Sequence, residues 1–88
     1  MANAITECLG LTAAFLTTGS FVPQAIRVLK TRDTRAISLA MYAMFTSGSL
    51  LWFIYGVGIN SPSVIAANAI TFLLALTILI LKFRQREA

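Results

Sequence analysis

Two long stretches of this 88-residue chain carry no charged side chain. One fills positions 8–26, between Glu7 and Arg27; the other fills positions 36–81, between Arg35 and Lys82. A hydrocarbon core about 30 Å thick is crossed by about 20 apolar residues of helix. The shorter stretch has room for one span, and the longer for two spans joined by a tight turn. The pattern predicts helices over about 5–29, 38–58 and 62–82. Ser38 is placed to cap the second. In the run Gly56-Val57-Gly58-Ile59-Asn60-Ser61-Pro62, the glycines are expected to end that helix. Ser61 then precedes Pro62 at the first position of the third.

Within the spans the residue types differ. The first is rich in small and hydroxyl residues from Thr12 to Ser20, which let helices approach closely and can bond backbone carbonyls. Pro23 cannot donate to the carbonyl of Gly19, so a kink is expected there. That kink is either a static bend or a moving hinge, and Gly19 on the same turn favours movement. The second span carries Met41, Phe45, Gly48, Trp52, Tyr55 and Ile59 at alternating steps of four and three, which is one helical face. Its bulky ends flank a gap at Gly48. Met41 and Phe45 are candidates for an apolar plug. Ser61, Val64, Asn68, Thr71 and Ala75 make a smaller, partly polar face on the third span. Trp52 and Asn68 stand equally far from Asn60, about 12 Å in from the turn at 1.5 Å per residue. An indole and an amide in one buried layer suit a neutral polyol, because the ring stacks on a sugar's apolar face while the amide donates and accepts. The competing reading makes Asn68 a bond between helices, and position alone does not separate the two.

Composition fits a membrane protein. Hydrophobic residues make up 58% and charged residues 11%, where a soluble domain carries roughly 25% charged. The seven basic residues gather at positions 27–35 and 82–86, which three spans place on one side. The positive-inside rule makes that side cytoplasmic, with the N-terminus and the 57–62 turn outside. Topology thus accounts for the basic residues, and a nucleic-acid partner is not expected. The first residues, Met1-Ala2-Asn3-Ala4, lack the basic start of a signal peptide. Cys8 is the single cysteine and there is no His, so no disulfide, metal site, cofactor or enzymatic centre is expected. No ionisable group lies deep in a span, which speaks against ion-coupled pumping and for facilitated diffusion of an uncharged solute. Three helices cannot enclose a path alone. A transporting form must oligomerise, and a parallel two-fold dimer is the simplest closed choice.

Phe21-Val22-Pro23-Gln24, followed by the basic Lys30-Thr31-Arg32 connection, resembles the PQ-loop motif. The resemblance continues through Ile37-Ser38, Met41-Tyr42, Trp52, Tyr55-Gly56 and Ala67-Asn68. Over roughly residues 10–84 the chain is similar to the bacterial SemiSWEET sugar transporters. The resemblance implies an all-α bundle of three transmembrane helices packed in the order one, three, two. It also implies one domain over residues 1–88, working in the bacterial inner membrane as a parallel homodimer. Its implied activity is alternating-access uniport of a mono- or disaccharide held by Trp52 and Asn68 beside Gly48. Pro23, with Gln24 and Gly19, would be the hinge near the inner gate of Met41 and Phe45, and Tyr55 would serve the outer gate. Relatives often reinforce that gate with an Arg and an Asp, whereas Ile59-Asn60-Ser61 is uncharged, so here closure must come from Tyr55 packing and neutral hydrogen bonds. Two other classes would fit the spans alone: a small holin, or a structural subunit of a larger membrane complex. Neither requires the Trp52–Asn68 layer or the Pro23 hinge.

Overall fold

The computed structural model describes residues 3–87. Residues 1, 2 and 88, and the side chains at 86 and 87, lie outside that description; they include the Met1-Ala2 start and Arg86 of the basic tail. Three helices make up the chain: α1 (Ala4–Thr31), α2 (Leu39–Ile59) and α3 (Pro62–Glu87). Each is long and apolar enough to cross a membrane. The bundle is 49 Å long and 22 by 15 Å across.

Each helix begins at a side chain able to satisfy its free backbone donors. Asn3 accepts from Thr6 N at 2.7 Å, and Ser38 accepts from Met41 N at 3.1 Å. α2 ends differently from the sequence expectation. Gly56 and Gly58 lie inside the helix, and Asn60 takes the left-handed conformation with φ 61°. Asn tolerates that region because its short polar side chain bonds locally, which frees the glycines for packing. A Cβ on Gly56 would lie 2.8 Å from Val64 Cγ1 and 3.1 Å from the Ile65 backbone nitrogen. The missing side chain is what lets α2 and α3 meet beside their turn. α3 also runs to Glu87, beyond the expected end near 82. The hydrocarbon core sets where a span ends, but Lys82, Arg84 and Gln85 are good helix formers and continue it into water.

α3 lies between α1 and α2 and packs on both, while the backbones of α1 and α2 do not pack on each other. Ala25 of α1 and Ala75, Ile78 and Leu81 of α3 form a narrow apolar core. Small and hydroxyl residues complete it, with Thr46, Ser49, Ser61 and Ser63 all buried. Such a composition suits close helix contact where lipid is as apolar as any side chain.

Candidate functional site

The stripe on α2 is about half exposed. Met41, Phe45, Trp52, Tyr55 and Ile59 are between 40% and 56% exposed, while the buried Thr46, Ser49 and Gly56 lie on the adjoining face. Aromatic contacts divide the stripe in two. Near the basic end, Phe45 packs edge-on against Tyr42 and against Phe21 of α1, with ring centres 5.9 and 5.7 Å apart. Near the turn, Trp52 and Tyr55 pack edge-on at 5.3 Å. Gly48 sits between the groups, and a Cβ placed on it would meet nothing within 4 Å. The result is an open step between two aromatic clusters.

The contact of Gly56 with Val64 fixes the register of the antiparallel pair α2 and α3. One turn deeper on each helix stand Trp52 and Asn68, so they share one level. Asn68 is half-buried and donates from Nδ2 to Val64 O of its own helix at 3.0 Å. That bond bridges no two helices of the protomer, and the amide oxygen stays available as an acceptor. The recess beside Trp52, about 250 Å³, is lined by Leu51, Trp52 and Tyr55, and Asn68 is not in its wall. The chain therefore holds Trp52 and Asn68 at one level without closing them around a common cavity.

Pro23 lies inside continuous helix. With Gln24, Arg27 and Val28 it lines a cleft of about 430 Å³ near the basic end of α1. A Cβ on Gly19 would meet nothing within 4 Å. Thr17 and Ser20 turn their hydroxyls back onto carbonyls of α1, the latter onto Leu16 O at 2.8 Å, a habit that bends helices. A larger open cleft of about 560 Å³ lies along α1 and α3, with Ala14, Thr18 and Pro23 on one wall and Ala66, Ala67 and Ile70 on the other.

Several polar residues have partners that their sequence positions did not suggest. Glu7 Oε1 accepts from Ser63 N at 3.1 Å, joining α1 to the start of α3. At the basic end, Lys82 Nζ donates to Thr34 O at 2.8 Å and Gln85 Nε2 donates to Arg32 O at 2.7 Å. Thr34 Oγ1, almost fully buried, donates to Gln85 Oε1. The connection between α1 and α2 is thus fastened to the end of α3. Arg35 grips both carboxylate oxygens of Asp33 at 3.0 Å and holds that carboxyl down at about 2. Partners 48–56 positions apart in the chain carry no local signal. Only Thr34, a buried residue in a polar connection, stands out once the fold is known.

Comparison with known proteins follows the same outline. The PQ loop repeat family model matches residues 5–65. The sugar transporter SemiSWEET of Leptospira biflexa is 46% identical over 77 residues, 88% of this chain and 91% of that protein. The SemiSWEET of Bradyrhizobium diazoefficiens is 46% identical over 78 residues, 89% of this chain and 91% of its own. A solved SemiSWEET structure in the inward-open conformation superposes with a TM-score of 0.87 at 40% identity, covering 92% of this chain and 87% of the other.

Proposed function

With the chain's membership of the PQ-loop family as premise, we propose that it is a facilitative sugar transporter of the SemiSWEET type. The protein carries a neutral mono- or disaccharide down its gradient by alternating access. The observation that carries this reading is the open step at Gly48, with Trp52 and Asn68 at one depth beside it and aromatic clusters on either side. Trp52 supplies a stacking face and Asn68 supplies hydrogen bonds. Phe45, with Met41, forms the inner barrier, Tyr55 forms the outer one, and Pro23 with Gly19 and Gln24 gives the bend that switches them.

The working unit is a parallel homodimer of one-domain protomers, each formed by the whole chain. An exposed aromatic stripe and a binding layer left open within one protomer both support it. Two copies across an axis along the membrane normal close the layer with two Trp52–Asn68 sets. The chain resides in the bacterial inner membrane, with the basic end in the cytoplasm and the α2–α3 turn outside.

Uptake of labelled mono- and disaccharides into liposomes holding only this protein tests the proposal. Saturable uptake that stops at equal concentrations is expected for at least one sugar. Folded protein that passes no sugar of the panel would overturn it.

A further inference from the structure

α1 meets α3 closely at both of its ends, and an open cleft runs along the two helices from Ser63 to Ile70. At the turn end, a Cβ on Gly10 would lie 2.7 Å from Ser63 Oγ, so the helices nearly touch. The first backbone donors of α3 are all accounted for there. Pro62 has none; Val64 N reaches Ser61 Oγ at 3.4 Å, and Ile65 N reaches Ser61 O at 3.0 Å. The remaining donor, Ser63 N, has no partner of its own helix and takes the Glu7 carboxylate. A negative charge at a helix start also meets the positive end of the helix dipole. At the basic end, Ala25 is 1% exposed, and a few residues further Gln85 bonds the cap residue of α1, Arg32, while Lys82 and Gln85 hold Thr34 of the connection just beyond it.

Between these points lies the 560 Å³ cleft. The helix along it contains Gly19, the Thr17 and Ser20 hydroxyls bonded back to it, and Pro23, which leaves the Gly19 carbonyl without its helical donor. We propose that Glu7, Lys82 and Gln85 are positioning residues that pin both ends of α1 to α3, and that α1 switches by bowing its middle between the pins. The basic end of α1 is then no free arm. The bow moves Phe21, and through the Phe21–Phe45 contact it acts on the inner barrier of α2. As a statement about switching, this rests on the transport reading; as a statement about where α1 is loose, it does not.

Two measurements test it. Amide hydrogen exchange on the protein in lipid nanodiscs should be faster over residues 14–22 than over 5–9 and 25–31, against the usual fraying of helix ends. Faster exchange at 25–31 than in the middle would overturn the pinned arrangement, whether or not any sugar is carried. The second uses Thr34→Cys with Gln85→Cys in a Cys8→Ala background. The reduced pair should slow sugar exchange about five-fold, the scale of one or two lost hydrogen bonds, with sugar affinity unchanged. A short bismaleimide bridge should return the rate to within about two-fold of Cys8→Ala alone, since a covalent pin replaces the lost one. A brace that only stabilised the fold would shift the melting temperature and not restore the rate, and a bridge that stops transport would show that the end must swing free. At the other pin, Glu7→Ala should slow exchange, while Glu7→Gln, which keeps an acceptor, should retain most of it. Equal loss in both would remove Glu7 from the proposal. A Cys8→Ala protein that carries no sugar would refute the transporter reading, and the exchange pattern would still decide the pins.

Discussion

Glycine has opposite consequences at two positions of α2, and the contrast separates packing from function. At Gly56 a methyl group would press on Val64 and the Ile65 backbone, neither of which can move without shifting α3. Gly56→Ala should destabilise the protein by about 1–3 kcal/mol, visible as a lower melting temperature in detergent. At Gly48 a methyl group meets nothing in the protomer. Gly48→Ala should leave the melting temperature unchanged while weakening sugar binding or shifting preference to smaller sugars. An unaltered binding profile would place Gly48 outside the solute layer. Trp52 and Asn68 take the same logic further. Trp52→Ala removes a stacking face and should weaken sugar binding by about 1–3 kcal/mol, the range for aromatic stacking on flat ligands. Asn68→Ala should weaken binding too, because sugar hydroxyls lose their partner. If Asn68 only joins protomers, its loss will weaken the dimer and spare the affinity of the remaining folded fraction. The shared depth of Trp52 and Asn68 was legible because both residues count equally from the turn. Glu7 was not, because its partner is a backbone amide 56 positions away. Lys82 counts in the sequence as a topology signal, and its bond to Thr34 O gives it a packing role that counting charges does not reveal.

At the scale of elements, the helices could be read from the chain because charge-free runs and cap residues are local signals. Asn3 and Ser38 lie just ahead of the first turns they cap. Helix ends in water were less legible: nothing in Lys82-Phe83-Arg84-Gln85 breaks a helix, so α3 continues past its membrane span. The order of packing is a property of pairs of faces, and it entered the sequence reading only through the family resemblance. Within α1, Pro23 decides between a fixed bend and a moving one. Pro23→Ala restores one backbone hydrogen bond and stiffens the segment between the two contact points with α3. Transport should fall steeply while sugar binding in detergent stays within a few-fold. Transport at the wild-type rate would make Pro23 a static bend and leave the bowing of α1 without its flexible point.

The whole molecule adds what one protomer lacks. Its aromatic stripe is exposed, and its recess beside Trp52 does not reach Asn68, so the proposed path runs between copies. The driving force follows from what lines that path. Between Arg35 and Lys82 there is no Asp, Glu, Lys, Arg or His, so α2 and the spanning part of α3 offer no carboxylate, amine or imidazole to relay a proton. Uptake should therefore proceed equally with and without a proton or sodium gradient and end at equal sugar concentrations. Accumulation above the outside level, abolished by a protonophore, would contradict this. Sharing of the path gives the sharper test of assembly. Two copies joined in one chain by an added membrane-spanning linker keep the parallel arrangement and should transport. A single Asn68→Ala change in one half alters the one common layer, so the fused pair should lose more than half its activity. Retention of half or more would mean that each protomer carries sugar by itself, and the shared path would have to be abandoned.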